Sequence, residues 1–156
     1  VRVISVKMAD EMHTAALKET QDADIFAGVA AVCDWKTAEV APQKMKKTPG
    51  KESLTLTFVK NPDILADVKK ARPTLFAVGF AAETENLEAN ALTKCVTKGA
   101  DLIVGNLAPA VFGKNENTVI FVTKTGVTEL PTMTKDETAQ RITDFIAASL
   151  KDGKHA

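Results

Sequence analysis

The sequence predicts an α/β protein in which a mainly parallel sheet lies between two layers of helices. Short apolar runs alternate with segments of helical periodicity, as they do in βαβ units. These strand-like runs are residues 24–32, 74–80 and 101–105. Two further runs, residues 118–123 and 127–130, flank Lys124-Thr125-Gly126 and predict a C-terminal antiparallel hairpin. Residues 36–50 contain Pro, Gly and several Lys, and they predict a protruding flap.

The first part of the chain begins with a predicted strand and helix. Residues 1–6 alternate loosely between apolar and polar side chains, and residues 9–21 combine helix-forming residues with helically spaced apolar ones. Residues 24–32 are mostly small or branched and apolar, which is typical of a strand covered on both faces. In residues 54–58 apolar side chains alternate with Thr, which predicts a strand with one exposed face at the end of a flap of about residues 36–58.

Asn61, Pro62 and Asp63 predict the start of a helix. An Asn side chain can cap free backbone N–H groups, Pro fits the first helical position, and Asp complements the positive end of the helix dipole. This helix should end before Arg72-Pro73, because the residue that precedes a proline disfavours the helical conformation.

Two later helices are marked by their ends. Residues 86–98 are followed by Gly99, and Gly readily adopts the left-handed conformation that closes a helix. Thr134 and Glu137 have the spacing of a capping box at the start of the last helix. The predicted inward face of that helix consists of Ala139, Ile142, Ile146 and Ser149 or Leu150.

The composition is that of one soluble globular domain. The chain has 156 residues, of which 45% are hydrophobic and 26% charged, and its formal net charge is zero. This charge balance does not favour a nucleic-acid partner, and no apolar run reaches the about 20 residues that a membrane helix needs. Cys33 and Cys95 stand far apart without a CxxC motif, which argues against a disulfide framework and a zinc site. We therefore expect a cytoplasmic protein without nucleic-acid or membrane partners.

Several candidate site residues follow the predicted strands, because ligands of parallel sheets bind outside the carboxyl ends of the strands. These residues are Asp34, Glu83, Thr84 and Asn106. The helix start at residues 61–65 offers free N–H groups to an anion, although every helix has such an end. Gly79 ends a predicted strand and allows close backbone approach, and Phe80 offers either a stacking surface for a base or an ordinary core side chain.

Lysines supply the candidate positive charge. Lys94 and Lys98 are four residues apart on a predicted helix and form a basic stripe, while Leu92 and Val96 face nearly the opposite side. A solvated helix face explains this stripe at least as well as a phosphate site. Lys44 lies in the flap, where it can close on phosphates or simply keep a surface loop soluble. The motifs GxSxG, HExxH, GxGxxG and GxxxxGK[ST] do not occur in the sequence.

Four segments, in order and spacing, resemble the phosphopantothenate–cysteine ligase domain of bacterial coenzyme A synthesis. They are residues 30–35 (Ala-Ala-Val-Cys-Asp-Trp), 40–47 (Val-Ala-Pro-Gln-Lys-Met-Lys-Lys), 59–64 (Val-Lys-Asn-Pro-Asp-Ile) and 79–84 (Gly-Phe-Ala-Ala-Glu-Thr). The resemblance continues more weakly to the last helix and implies a single Rossmann-like domain over residues 1–156. It also implies an enzyme that activates the carboxylate of phosphopantothenate with CTP, releases pyrophosphate, and transfers the acyl group of the acyl-cytidylate to the amine of cysteine.

The resemblance further implies the residues of the site. Lys44 matches the flap lysine that the family uses in turnover of the acyl-cytidylate. The implied nucleotide-binding residues are Gly28, Val29, Ala30, Asp34, Lys44, Pro62, Asp63, Ile64, Leu65, Phe80, Lys94 and Lys98. Mg²⁺ is expected to accompany the triphosphate, and a homodimer is expected to form through the region around the flap.

Members of this family normally begin with a Gly-rich strand–turn–helix that binds phosphopantothenate, and the resemblance implies that such a segment belongs before Val1. We expect such a segment to complete the substrate half of the site. The alternative is a nucleotide-binding module without catalysis that needs a separate N-terminal segment for activity. A dinucleotide-binding oxidoreductase would suit the layered fold but lacks its characteristic glycines.

Overall fold

The computed structural model describes residues 1–46, 49–50, 52–107, 115–151 and 153. The helices are α1 (Ala9–Glu19), α2 (Ile64–Ala71), α3 (Leu87–Lys98) and α4 (Lys135–Lys151). The strands are β1 (Ile25–Gly28), β2 (Trp35–Thr37), β3 (Phe58–Lys60), β4 (Phe76–Glu83), β5 (Leu102–Leu107), β6 (Glu116–Asn117), β7 (Val119–Thr123), β8 (Gly126–Glu129) and β9 (Met133–Thr134).

The main sheet has the strand order β1–β4–β5–β7–β8. Strands β1, β4 and β5 are parallel, whereas β5–β7 and β7–β8 are antiparallel pairs. Helices α1, α2 and α3 pack on one face of this sheet, and α4 packs on the other. The predicted three-layer α/β architecture and its C-terminal hairpin are thus confirmed. None of the helices in the described ranges is long and apolar enough to cross a membrane.

Strand β4 lies at the centre of the core and contributes to both faces of the sheet. Phe76 and Val78 belong to the hydrophobic cluster under α4, whereas Ala77 and Ala81 belong to the clusters under α2 and α3. This alternation follows from the period of two residues along a strand. Residues 76–79 of β4 are almost fully buried, as the continuous apolar run of the sequence predicts.

Two predictions for the first part of the chain were wrong. Residues 1–6 form no strand and are mostly exposed. Strand β1 has four residues rather than nine, and Ile25 and Ala27 are exposed instead of covered. The physical reason is that β1 lies at the edge of the described sheet, where only Phe26 packs against the cluster that includes α1 and α2.

The flap has a two-stranded stem formed by β2 and β3, which pair antiparallel from Trp35↔Lys60 to Thr37↔Phe58. The predicted strand at residues 54–58 is wrong except for Phe58, because residues 52–57 have no regular structure and all are exposed. An alternating pattern forms a strand only where a partner strand or a core covers it. Lys47 and Lys51 of the predicted basic flap lie outside the described residues.

The start of α2 differs from the prediction in its capping residue. Asp63 is the N-cap, and its Oδ1 accepts a hydrogen bond from the backbone N–H of Ala66 at 3.2 Å. Asn61 does not cap the helix, and Pro62 lies just outside it. Gly79, predicted at a strand end, lies in the middle of β4, where a Cβ would come within 2.5 Å of Leu65 Cδ2.

The buried face of α3 lies about 100° around the helix from the predicted one. Ala91 and Cys95 face the sheet, whereas Leu92 and Val96 are 41% and 61% exposed. Because Lys98 lies about 20° around the helix from Ala91, the lysines border the buried face and are half-buried. In α4 the predicted inward positions Ile142, Ile146 and Leu150 pack on the core, but Ala139 is exposed.

Candidate functional site

The main sheet has a step where β1 ends. Strand β1 pairs with β4 only as far as Gly28↔Gly79, whereas β4 continues to Glu83 beside β5. Beyond Gly79, the edge of β4 on this side has no partner strand in the described part of the chain. Seven residues surround this step, and we call their surface the β1-end site: Gly28, Asp34, Asn61, Asp63, Phe80, Lys94 and Lys98.

The N-terminus of α2 contributes hydrogen-bond donors to the β1-end site. The side chain of Asp63 accepts a hydrogen bond from the N–H of Ala66, and its carbonyl accepts one from the N–H of Asp67. The backbone N–H groups of Ile64 and Leu65 have no acceptor among the residues that the structure describes. These two donors lie at the positive end of the helix dipole, so the start of α2 favours a negatively charged group.

The two lysines of α3 point to the β1-end site. Lys98 Nζ lies 2.8 Å from Asp63 Oδ2, and Lys94 Nζ donates to the carbonyl of Phe80 at 3.1 Å. Within the described ranges Lys94 has no carboxylate partner, so its charge is not compensated locally. The site therefore combines one paired and one unpaired ammonium group.

The pKa of Asp63 reflects this environment. Burial raises the pKa of Asp63, but the hydrogen bonds from Lys98 and the Ala66 N–H and the charges of Lys98 and Lys60 outweigh burial and hold it below its ordinary value of 3.8. Asp63 is therefore ionised at neutral pH. In that state it both caps α2 and orients the ammonium group of Lys98.

The loop that follows β1 is joined to α2 through Asn61. Its backbone N–H donates to the carbonyl of Asp34 at 2.8 Å, and its Nδ2 donates to the carbonyl of Cys33 at 2.8 Å. Asn61 is buried, with 9% of its surface exposed. These bonds place Asp34 beside the start of α2, although Asn61 is 27 positions further along the chain.

The structure brings some predicted site residues together and leaves others apart. Asp34, Asp63, Phe80, Lys94 and Lys98 are linked by the contacts above, and Gly28 pairs with the neighbour of Phe80. The other predicted residues near the step adjoin Gly28, Asp63 and their neighbours in the chain; they are Val29, Ala30, Pro62, Ile64 and Leu65.

Phe80 and Lys44 behave differently from the other predicted residues. The ring of Phe80 packs against the cluster under α4, so its carbonyl rather than its ring meets Lys94. Lys44 is exposed in the flap and makes no hydrogen bond or ion pair with the residues described. Asn61 was predicted as a helix cap and as the first residue of the helix start at residues 61–65, but its bonds to the loop after β1 were not predicted.

A second hollow, of about 530 Å³, lies where β4 and β5 end. It contains Thr84, one of the predicted strand-end residues, and the side chains of Glu85, Glu88 and Glu129. Three carboxylates repel a phosphate group, so this hollow is a poor site for a nucleotide. Glu83 accepts a hydrogen bond from Asn90 Nδ2 at 3.0 Å and is engaged in holding the start of α3.

The sequence profile described as "DNA/pantothenate metabolism flavoprotein C-terminal domain" matches residues 1–150. A curated relative, the Coenzyme A biosynthesis bifunctional protein CoaBC of Vibrio cholerae, is 40% identical over 152 residues, covering 94% of this chain and 38% of that protein. The protein of the same name from Escherichia coli is 48% identical over 111 residues, covering 68% of this chain and 27% of that protein. The chain thus spans less than half the length of these relatives.

A solved structure agrees with these sequence relationships. The crystal structure of the C-terminal domain of Coenzyme A biosynthesis bifunctional protein CoaBC superposes with a TM-score of 0.76 at 30% identity, covering 96% of this chain and 66% of that chain. The fold, the order of the elements and the sequence thus point to one family. The chain belongs to the DNA/pantothenate metabolism flavoprotein C-terminal domain family.

Proposed function

We propose that this chain is the nucleotide-handling part of a CTP-dependent ligase that joins phosphopantothenate to cysteine in coenzyme A biosynthesis. The observation that carries the proposal is the convergence of Lys94, Lys98 and the free N–H groups of α2 on the end of β1. The names of its relatives support the pathway. Because the chain covers only part of those relatives, the complete reaction is proposed for a protein that also contains a phosphopantothenate-binding segment.

The charges at the β1-end site suit a triphosphate. Lys94 offers an ammonium group that lacks a carboxylate partner in the described structure, and Ile64 and Leu65 offer backbone donors at a helix N-terminus. Lys98 can contact a phosphate while Asp63 still accepts one of its three N–H bonds. The nucleoside would meet the backbone of Gly28, Val29 and Ala30 and the segment at Asp34. Backbone groups at fixed positions can then distinguish one base from another.

In the proposed reaction, a carboxylate oxygen of phosphopantothenate attacks the α-phosphate of CTP and pyrophosphate leaves. The cysteine amine then attacks the acyl carbon, CMP leaves, and the amine loses a proton. Lys44 acts in this second part of the reaction, where its ammonium group would offset the negative charge that develops as the acyl-cytidylate breaks down. Lys44 is exposed in the flap and makes no ion pair with described residues, so it is available to a closing flap.

Mg²⁺ fits this site as a companion of the triphosphate. In the described part of the chain, no three His, Cys, Asp or Glu side chains form a group that could hold a metal ion by themselves. Mg²⁺ in nucleotide sites is commonly bound by phosphates, waters and one or two carboxylates, and it neutralises phosphate charge. The carboxylates that could contribute are Asp63, which precedes the free N–H groups of Ile64 and Leu65, and Asp34, which Asn61 joins to the start of α2.

Calorimetry with CTP, UTP, ATP and GTP in the presence of Mg²⁺ tests nucleotide recognition. We expect preferential binding of CTP, and loss of the charged contact in Lys94→Met should weaken CTP binding by about tenfold or more. The matched control is Lys124→Met, because Lys124 is an exposed lysine in the β7–β8 turn. Equal affinity for all four nucleotides, or no binding by a folded sample, would contradict the proposal.

The role of Lys44 is tested in a complete protein that includes the phosphopantothenate-binding segment. We expect Lys44→Gln to bind CTP nearly as well as the unaltered protein but to form little phosphopantothenoylcysteine. Normal product formation by this variant would remove Lys44 from the mechanism. Pyrophosphate release by the present chain alone, with all three substrates, would exclude the alternative of a module without catalysis.

We also propose a homodimer formed through the flap. Large apolar side chains of the flap and its stem are exposed, and they include Trp35, Val40, Leu54 and Phe58. Exposed apolar patches of this kind mark interaction surfaces. Sedimentation equilibrium should show a dimer that Phe58→Asp weakens. A monomer at all concentrations would contradict this part of the proposal.

A further inference from the structure

Asn61 connects the stem of the flap with the start of α2. We infer that Asn61 is a positioning residue for nucleotide binding: it holds the carbonyls of Cys33 and Asp34 against the N-terminus of α2 and thereby fixes the flap relative to the β1-end site. This inference rests on the proposed nucleotide function and adds a residue that the family resemblance does not assign to the site.

The two hydrogen bonds of Asn61 continue the antiparallel ladder of the stem. Trp35 pairs with Lys60 at the end of that ladder, and the Asn61 N–H then donates to the carbonyl of Asp34, one residue before Trp35. The Asn61 side chain adds a further bond to the carbonyl of Cys33 at 2.8 Å. The hydrogen bonds of Asn61 therefore hold the end of the stem in place two residues before Asp63, the N-cap of α2.

Asn61 is not needed as a helix cap, because Asp63 already fills that role. The orientation of the Asn61 amide follows from its partner: the carbonyl of Cys33 accepts, so the NH₂ group must face it. Its Oδ1 is consequently buried without a donor in the described structure. An unpaired buried acceptor is unfavourable, so the hydrogen bonds that Asn61 donates must offset its cost.

The geometry of the site shows how the two hydrogen bonds of Asn61 can serve nucleotide binding. Implied nucleotide contacts lie on both sides of Asn61, with Asp34 on the loop and Asp63 to Leu65 on α2, and Lys44 lies in the flap that the stem carries. A small change in the angle of the stem would move Lys44 and Asp34 relative to Lys98. A fixed joint reduces the conformational freedom that would otherwise be lost when the nucleotide binds.

The test uses Asn61→Ala and, as its control, Asn117→Ala. Asn117 also has a buried Oδ1 without a partner, but it lies in β6 and is not bonded to the flap stem. Two quantities are measured on the chain: the Kd for CTP with Mg²⁺ by calorimetry, and the fluorescence anisotropy of Trp35 without nucleotide. Trp35 is the only tryptophan of the sequence and begins β2.

We expect Asn61→Ala to raise the Kd for CTP by about tenfold and to lower the anisotropy of Trp35, because one hydrogen bond of the joint is lost. Asn117→Ala should change neither. Asn61→Asp keeps the size of the side chain but removes its donor, so it should lower the anisotropy as Asn61→Ala does. This second variant covers the case in which Asn61→Ala does not fold.

The outcomes separate the inference from the proposed function. If the unaltered folded chain does not bind CTP, the proposed function fails, and the positioning role fails with it. If the unaltered chain binds CTP and Asn61→Ala binds it equally well, the inference is overturned and the proposed function stands. Equal weakening by Asn61→Ala and Asn117→Ala would also overturn the inference, because the effect would then be general loosening of the fold.

Discussion

The ion pair between Lys69 and Asp101 connects α2 with the sheet, and we predict that its disruption is strongly destabilising. Lys69 Nζ lies 2.7 Å from Asp101 Oδ2, and the two side chains are 10% and 11% exposed. The same carboxylate oxygen accepts the N–H of Ala77 in β4 at 2.8 Å. Lys69 Nζ also donates to the carbonyl of Leu75 at 2.7 Å. One carboxylate thus joins α2, β4 and the start of β5.

The expected cost of Asp101→Ala follows from these contacts. The substitution leaves the Lys69 ammonium group buried without its counter-ion and leaves the N–H of Ala77 without an acceptor. Removal of one partner of a buried ion pair costs about 3–5 kcal/mol. Because Lys69 keeps its hydrogen bond to the carbonyl of Leu75, we expect a loss at the lower end of this range, about 3 kcal/mol. Since domains are stable by only about 5–15 kcal/mol, this is a large fraction of the free energy of unfolding.

Urea unfolding followed by the fluorescence of Trp35 measures this loss. The double variant Lys69→Met/Asp101→Ala should recover part of the stability, because no charge is then left buried. Lys36→Met is the control: it breaks the exposed pair with Asp10 and should cost less than about 1 kcal/mol. A loss below about 1 kcal/mol for Asp101→Ala, or strictly additive losses in the double variant, would refute the reasoning.

Three further predictions concern the start of α2 and the end of α3. Gly79→Ala would place a Cβ 2.5 Å from Leu65 Cδ2, so we expect a loss of about 1–3 kcal/mol in urea unfolding together with weaker CTP binding. Gly99 has a φ of +67°, and Gly99→Ala should cost about 1–2 kcal/mol in the same assay because L residues disfavour this conformation. The pKa of Asp63 is lower in the folded chain than its ordinary value of 3.8, so ionised Asp63 adds to the free energy of unfolding above pH 3.8. This contribution is lost as the pH falls through the lower pKa of the folded chain. The advantage of the unaltered chain over Asp63→Asn should therefore shrink in acid. Asn retains the helix cap, so this comparison measures the contribution of the ionised carboxylate, which includes its contact with Lys98 and the charge of Lys60.

Each of these predictions has a result that would contradict it. For Gly79→Ala, unchanged stability would mean that the side chain of Leu65 moves aside without cost. An equally stable Gly99→Ala would show that the end of α3 relaxes to another conformation. If Asp63→Asn and the unaltered chain lose stability in parallel as the pH falls, the contact of Asp63 with Lys98 contributes nothing measurable.

Elements marked by interactions within a few residues could be predicted from the sequence. The capping box at α4 is an example: the N–H of Thr134 donates to Glu137 Oε2 at 2.8 Å, and the N–H of Glu137 donates to Thr134 Oγ1 at 3.2 Å. Gly99 closes α3 in the left-handed conformation, as expected. These predictions succeeded because both partners of each contact lie in one stretch of chain, and the conformation needs little help from the remainder of the fold.

Predictions that depended on how an element packs against other elements were partly wrong. The apolar run after residue 24 has the composition of a covered strand, but β1 lies at the edge of the described sheet and is partly exposed. On α3, periodicity suggested an inward face containing Leu92 and Val96, whereas the sheet packs on the smaller Ala91 and Cys95. A helix can lie close to a sheet through small side chains, and the packing rather than the hydrophobicity of single residues then determines the buried face.

The sequence by itself determined the α/β class, the C-terminal hairpin, the family resemblance and most of the residues proposed to meet the nucleotide. Only the tertiary structure showed that Asn61 binds the carbonyls of Cys33 and Asp34, that Lys98 meets Asp63, and that Lys94 meets the carbonyl of Phe80. The physical reason is distance along the chain. Short-range preferences bias the local backbone, but a hydrogen bond or ion pair between remote residues exists only after the strands and helices have packed and have placed the two groups within reach.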